Sequence, residues 1–202
     1  IELSLHDDDV DFATWCTYKY LNSGPGGVAG AYVHRRHVAD PTLPKFTGWW
    51  GTNKAARFSM KTQFDPIPTV ESWQLSNAPI LLMASLLGSL AVFTEAGGMA
   101  ELRRKSELQI RYLDLLLDSR FTGRIENLTP RALDERGCQF ALKVMAPGVD
   151  GRTVFDRLEA AGVACDWRVP DVIRVAPVPL YNTFTDIWRF CELLDSILAD
   201  LS

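Results

Sequence analysis

Hydrophobic residues recur with the period of an α-helix in two stretches of the C-terminal part of the chain. The first stripe, within residues 99–118, consists of Leu108, Tyr112, Leu115 and Leu116. The second consists of Ile187, Phe190, Cys191, Leu194 and Leu198. It follows Thr183 and Asp186, which have the spacing of an N-terminal capping box. The pattern predicts two amphipathic helices whose stripes face a core.

Residues 80–95 are apolar on nearly every face, which predicts a helix that is buried all round. Ser76 and Asn77 precede Pro79, and a polar cap followed by proline is typical of a helix start. The apolar run around this helix is shorter than the ~20 residues that a membrane span needs. We therefore expect a buried helix of a globular domain.

Between the two stripes, β-branched and apolar segments predict a compact α/β unit. The expected strands are residues 123–128, 138–145, 163–169 and 172–175, and the expected helix is residues 153–161. A boundary near residues 74–77 separates this unit from the strand-and-loop material before it. The sequence therefore predicts two domains, residues 1–75 and 76–202.

Composition and charge narrow the classes of function. Hydrophobic residues make up 47% and charged residues 23% of the 202-residue chain, as in ordinary globular domains. The net charge of −4 does not suggest a broad basic surface for nucleic acid. The four cysteines are scattered without a CxxC pair, and the three histidines have no clustered acidic or thiol partners. We expect reduced cysteines, a cytoplasmic location, and neither a metal site nor a membrane segment.

Lys19 stands where a β-rich run that ends at Tyr18 and Lys19 meets the glycine-rich turn 23–27. A second strand is expected at residues 28–33. Lysine is rarely buried without a partner, yet aromatic and apolar residues flank Lys19. Two readings stay open: a solvent-facing strand end, or a desolvated amine that is nucleophilic toward carbonyls.

Ordered sequence blocks then carry a resemblance to a known family. DFATWCTYKYLNSGPGGVAGAYVH resembles the cofactor-lysine segment of kynureninases. TGWWG, ARF, QLSNAPIL, ERGCQ and IRVAPVPLYNTFTD match in the same order along essentially the whole chain. The resemblance implies an α/β fold, the PLP-dependent transferase fold (fold type I). Residues 1–75 would be the C-terminal part of the large cofactor-binding domain, and residues 76–202 the small C-terminal domain.

The same resemblance implies roles for five residues. Lys19 would be the Schiff-base lysine for pyridoxal 5'-phosphate and a catalytic proton carrier. Tyr18 would be catalytic and would bind the cofactor phosphate. Trp49 would also reach the phosphate, Asn77 would contact cofactor and substrate, and Arg174 would bind the substrate carboxylate.

For four of these residues a structural role is the alternative. Tyr18 could be a core residue whose hydroxyl has a hydrogen-bond partner. Asn77 could be a helix cap, and Trp49 could be a packing residue between Gly48 and Gly51. Arg174 lies among apolar strand residues, where a charge needs an anionic partner. That partner could be a substrate carboxylate, which suits the guanidinium fork, or an internal Asp or Glu.

The implied activity is hydrolysis of L-kynurenine and 3-hydroxykynurenine to anthranilate or 3-hydroxyanthranilate and L-alanine, a step of tryptophan catabolism. The implied partners are this small-molecule substrate and a second copy, in a homodimer with a shared active site. The alternatives are a non-catalytic fragment of such an enzyme and a cysteine desulfurase-like lyase.

The sequence also departs from the family pattern. Thr52 stands where the family usually has histidine, at a position expected to contact the substrate ring. The aspartate that pairs with the pyridine nitrogen would lie before Ile1. We therefore expect activity to need an additional N-terminal part.

Overall fold

The computed structural model describes residues 3–38, 40 and 42–202. They form two compact units, Leu3–Val92 and Phe93–Ser202. The division falls inside a helix that begins after the predicted boundary between residues 75 and 76. That predicted boundary refers to the domains of a larger protein, and it stays a prediction.

The first unit contains little regular structure before its long helix. Strands β1 (Phe12–Trp15) and β2 (Gly30–Val33) form an antiparallel pair, followed by the short helix α1 (Arg35–Val38). Two 3₁₀ turns, Arg57–Ser59 and Val70–Trp73, precede helix α2 (Ile80–Glu95).

The prediction that the first strand reaches Lys19 is wrong, because β1 ends at Trp15. The Trp15 indole lies across Gly30 on the opposite strand, where an added Cβ would be 2.2 Å from an indole carbon. Beyond this pair, the side chain of Thr17 bonds within the following loop instead of continuing the ladder.

Helix α2 has the predicted position but not the predicted burial. Phe93 is its only buried residue among those described, whereas Ile80 and Leu81 are at least 80% exposed and Leu87 is 69% exposed. An apolar sequence shows that a helix needs a covering surface. It does not show that the same stretch of chain provides that surface.

The second unit is an antiparallel sheet with three helices. Its elements are α3 (Gly98–Arg120), β3 (Ile125–Asn127), β4 (Phe140–Val144), α4 (Gly151–Ala160), β5 (Asp166–Arg168), β6 (Val172–Val175) and α5 (Phe184–Leu201). The strand order is β3-β4-β6-β5, with every neighbouring pair antiparallel. The four strands and the helix predicted between the stripes are all present; β6 has its predicted ends, and the ends of the other elements are shifted.

One hydrophobic core joins the three helices to the sheet. Phe140, Leu142 and Ile173 contribute from the strands, and Leu158 and Leu194 from helices α4 and α5, all at most 2% exposed. The predicted stripe of α5 is confirmed, since Ile187, Cys191, Leu194 and Leu198 are buried and Phe190 packs against the core.

The predicted stripe of α3 is confirmed for two of its four residues, since Leu116 is buried and Tyr112 packs against the core. Leu108 and Leu115 are about half or more exposed, whereas Ile110, Leu113 and Leu117 are buried. Leucines occur on both sides of this helix, so the periodicity alone left its orientation ambiguous. Packing against the sheet selects the buried side.

No single helix in the described part of the chain is long and apolar enough to cross a membrane. By length and composition only, α2 and α3 would pass that test as a broken pair.

The capping box of α5 gives a test of local stability. The Thr183 hydroxyl accepts from the Asp186 amide at 3.1 Å, and the Asp186 carboxylate accepts from the Thr183 amide at 2.8 Å. We expect Thr183→Ala to lower the unfolding free energy by about 1 kcal/mol, because the Asp186 amide loses its acceptor and the Asp186 carboxylate loses the hydroxyl donor. Urea unfolding followed by circular dichroism measures this. Thr185→Ala, in the first turn of the same helix, should change stability by much less, and equal effects would contradict the capping role.

Candidate active site

Two buried hydroxyls hold the loop that carries Lys19. Thr17 and Ser23 are 2% and 1% exposed, and their hydroxyl oxygens lie 2.8 Å apart. The Thr17 hydroxyl donates its proton to the Val28 carbonyl, so the Ser23 hydroxyl must donate to Thr17. The Ser23 amide also donates to the Thr17 carbonyl at 3.1 Å. These bonds close the chain between residues 17 and 28 into a loop with Lys19 on its outer side.

Helix α2 fixes the same loop through two serines one turn apart. The Ser85 hydroxyl donates to the Ser23 carbonyl at 2.6 Å, and the Ser89 hydroxyl donates to the Leu21 carbonyl. The loop takes left-handed backbone angles at Gly24 (φ 83°) and at two further positions, Asn22 and Gly26. A glycine-rich sequence is therefore required for this backbone path.

Lys19 and Tyr18 lie side by side on the surface of the unit. The Lys19 amine is 5.6 Å from the centre of the Tyr18 ring, and both residues are exposed, Tyr18 by 48%. Of the two alternatives that the sequence left open for Lys19, the structure of this unit shows the solvent-facing one. The aromatic neighbours that suggested burial in the sequence, Tyr18 and Tyr20, are themselves exposed.

The turn containing Trp49 depends on two close backbone contacts. A Cβ on Gly48 would lie 2.2 Å from the Leu75 carbonyl oxygen, and one on Gly51 would lie 2.6 Å from the Ser72 carbonyl oxygen. Trp49 is 55% exposed, and its indole N–H donates to the Arg57 carbonyl at 3.2 Å. Its ring packs edge-on against the Phe58 ring, with the ring centres 5.5 Å apart, so Trp49 also has a local packing role.

An open cavity of about 390 Å³ adjoins Trp49. Its lining includes Thr52, Arg57 and Lys61. The Arg57 guanidinium lies 4.2 Å from the centre of the Trp50 ring, which fixes a cation at the cavity wall. Arg57 and Lys61 therefore bring positive charge to the cavity wall, and Lys61 pairs with Asp65 at 3.1 Å.

The predicted site residues belong to both compact units. Tyr18, Lys19, Trp49 and Asn77 lie in the first, with Asn77 exposed in the segment before α2. Across the residues that the structure describes, no hydrogen bond, ion pair or cation–π contact joins Lys19 to Trp49 or Asn77. Arg174 lies in the second unit, on β6, where it forms an ion pair with Asp166.

This ion pair is the structural role that the sequence left open for Arg174. It involves only one end of the guanidinium, so it does not exclude a substrate role. Asp166, the partner of Arg174, was not among the residues predicted from the sequence. An opposite charge on the neighbouring predicted strand was the available signal.

Comparisons with known proteins identify the family. The model of the kynureninase C-terminal domain matches residues 102–194. The kynureninase of Xanthomonas euvesicatoria pv. vesicatoria is 51% identical over 199 residues, which cover 98% of this chain and 47% of that protein. A kynureninase of Xanthomonas oryzae pv. oryzae is 52% identical with the same coverage.

This chain belongs to the kynureninase family. It corresponds to the C-terminal portion, and it spans about half the length of the curated relatives that it matches.

Solved structures of similar fold agree with the predicted fold class. A variant of C-DES with glycine covalently linked to its PLP cofactor has a TM-score of 0.70 at 18% identity, covering 99% of this chain and 48% of that one. The cysteine desulfurase CsdA from Escherichia coli has a TM-score of 0.70 at 17% identity, covering 98% and 48%. At these identities the likeness shows the fold alone. It confirms fold type I for this kynureninase-family chain.

The Lys19 loop can be tested at Gly27. A Cβ there would lie 2.0 Å from the Ser23 hydroxyl oxygen and 3.1 Å from the Gly24 carbonyl oxygen. We expect Gly27→Ala to destabilise the loop by about 1–3 kcal/mol, because the buried Ser23 hydroxyl must move. Amide hydrogen exchange at Ser23 measures the loss of protection. Gly137→Ala, where an added Cβ meets no atom within 4 Å, is the control. Unchanged exchange at Ser23 would show that the hydroxyl network does not hold the loop.

Proposed function

We propose that this chain is the C-terminal half of a kynureninase that hydrolyses L-kynurenine, and 3-hydroxykynurenine, to anthranilate or 3-hydroxyanthranilate and L-alanine. The observation that carries the proposal is the identity of 51% over 199 residues to a curated kynureninase. Because this chain spans about half of that relative, the complete site would need the remaining half.

The residues present fit pyridoxal 5'-phosphate by their chemistry. Lys19 offers an accessible amine that would hold the cofactor covalently through Nζ. Tyr18 offers an exposed phenol, and Trp49 an indole N–H, as donors to a phosphate. Trp49 would exchange its present acceptor, the Arg57 carbonyl, for the phosphate. The bound cofactor supplies an electron-withdrawing ring that stabilises negative charge developing at the substrate α-carbon.

The chain's own residues then have distinct tasks. The Lys19 amine moves a proton at the substrate α-carbon, which suits its place on a loop held at both ends by buried bonds. The Tyr18 phenol, beside that amine, binds the phosphate and exchanges protons near the reacting carbons. Arg174 binds the substrate α-carboxylate with the donors that Asp166 leaves free.

The proposal also includes assembly of two copies into a homodimer. Trp49 and Asn77 would serve the site of a second copy in a homodimer. Their exposure within this chain supports this arrangement. The uncovered apolar side of α2 supports a further partner surface, since exposed apolar patches of this kind mark interaction sites. A cytoplasmic location remains part of the proposal.

The thiols argue against the cysteine desulfurase-like alternative. A nucleophilic cysteine needs a lowered pKa, so that the thiolate forms. Burial instead raises the pKa of Cys165 and of Cys191 to about 11, and burial also raises the pKa of Cys138. None of these three cysteines has the environment of an activated nucleophile.

Reconstitution tests the proposed function. The chain is co-expressed with the N-terminal half of the Xanthomonas euvesicatoria kynureninase, and anthranilate fluorescence is followed after addition of L-kynurenine and pyridoxal 5'-phosphate. We expect activity, and we expect Lys19→Ala to reduce it by more than about 100-fold because the proton carrier is lost. Borohydride treatment should fix the cofactor mass on the Lys19 peptide.

The matched control is Lys54→Ala, since the Lys54 side chain is 70% exposed and pairs with Glu71. This variant should retain activity and cofactor. A folded, reconstituted protein that leaves kynurenine uncleaved would refute the proposal, as would full activity of Lys19→Ala.

Alkylation tests the thiols directly. At pH 8 a thiol of pKa about 11 holds about 100-fold less thiolate than one of pKa 9.0, because each pKa unit lowers the fraction tenfold. We therefore expect iodoacetamide to modify Cys165 and Cys191 at least that much more slowly in the folded chain than in urea. Mass spectrometry of the cysteine peptides gives both rates. Rapid modification of either residue in the folded chain would restore the alternative.

A further inference from the structure

The four-stranded sheet separates apolar from charged residues. Ile173 and Val175 of β6 face the core and are buried, whereas Arg174 between them lies on the opposite face. The register places Asp166 of β5 directly across from Arg174 on one side, and Ala141 of β4 on the other. Cross-strand neighbours share a face, so Arg174 has a carboxylate on one side and a small methyl group on the other.

Asp166 receives two guanidinium groups on one oxygen. Arg174 donates through Nη2 to Oδ2 of Asp166, and Arg168 donates through Nη2 to the same oxygen at 2.6 Å. Two cations therefore share one anion, and the cluster keeps one net positive charge. Such a cluster suits the recognition of a further anion.

Most N–H donors of the Arg174 guanidinium have no partner in the described part of the chain. Within residues 3–38, 40 and 42–202, the contact to Asp166 is the only hydrogen bond or ion pair that the Arg174 side chain makes. A guanidinium has five N–H donors in a fixed plane, and this contact occupies one of its ends. The remaining donors can take a carboxylate in the two-bond geometry for which arginine is suited.

We propose that Asp166 is the positioning residue for Arg174, restraining the guanidinium so that its remaining donors meet the substrate α-carboxylate. This inference rests on the proposed function. The Arg174 side chain is 35% exposed, so without a partner it could occupy several rotamers. Asp166 is placed across the strand pair by the ladder, so the backbone fixes where the restraint acts. Asp166 acts through Arg174 and does not itself bind the substrate.

A competing role for Asp166 predicts the opposite change in substrate affinity. If Asp166 instead competed with the substrate for Arg174, removing its charge would tighten substrate binding. Positioning predicts weaker binding after the same change. The direction of the change in KM therefore decides between the two.

The first experiment needs no activity. In the ¹⁵N-labelled 202-residue chain, the Arg174 Nε–Hε signal is assigned through Arg174→Lys, and its heteronuclear NOE is measured. We expect Asp166→Asn to lower this NOE, because a neutral amide holds the guanidinium less strongly. The matched control is Asp171→Asn, since Asp171 pairs with Lys143 of the neighbouring strand at 2.8 Å and does not touch Arg174. An unchanged heteronuclear NOE of the Arg174 Nε–Hε group in Asp166→Asn would overturn the proposal.

The second experiment uses the reconstituted protein with its cofactor. We expect Asp166→Asn to raise KM for L-kynurenine about fivefold with kcat unchanged, the size of a partly exposed ion pair. Asp171→Asn should leave KM and kcat unchanged. The inhibition constant of a substrate-like amino acid should rise in Asp166→Asn, whereas that of its α-carboxamide should not. Loss of sheet stability alone would not distinguish these two inhibitors.

Each failure has a distinct signature. Absence of kynurenine cleavage by the unaltered reconstituted protein would refute the proposed function, while the NOE would still decide whether Asp166 restrains Arg174. Activity together with an unchanged or lowered KM in Asp166→Asn would leave the function intact and overturn the positioning role.

Discussion

Burial of apolar surface is the constraint on which this structure depends, and it is unequally distributed. Among the described residues, every buried hydrophobic side chain lies in Phe93–Ser202. The buried side chains of Leu3–Val92 are polar, namely Thr17, Ser23, His34 and Ser72. Hydrophobic burial is the dominant favourable contribution to folding. The second unit therefore has its own core, whereas the first relies on hydrogen bonds and close backbone contacts.

This difference in burial explains why the candidate site has an ordered backbone but an exposed reactive side chain. The loop bearing Lys19 is defined by hydroxyl bonds from Thr17 and Ser23 and by two serines of α2, yet its reactive side chain is exposed. The apolar side of α2 is exposed as well. Hydrogen bonds can fix a backbone path without excluding water from a side chain. The loop is therefore ordered while the Lys19 side chain stays in contact with solvent.

Arg174 shows how a core supports a site on its outer face. Alternation along β6 buries Ile173 and Val175, and it thereby directs Arg174 away from the core. The antiparallel register then places Asp166 opposite the guanidinium. A slip of one residue would turn Arg174 toward the core, so the hydrophobic packing fixes the register that forms the ion pair.

The sequence by itself determined which elements form and which residues carry chemistry. Local periodicity and capping were sufficient for α5 and the strands of the second unit, and ordered motifs were sufficient for the family. Tertiary structure decided which side of α3 is buried, that α2 is uncovered, that β1 ends at Trp15, and that Asp166 meets Arg174. The physical reason is that element formation depends on neighbours within a few residues along the chain. Burial and pairing depend on surfaces that are distant in sequence.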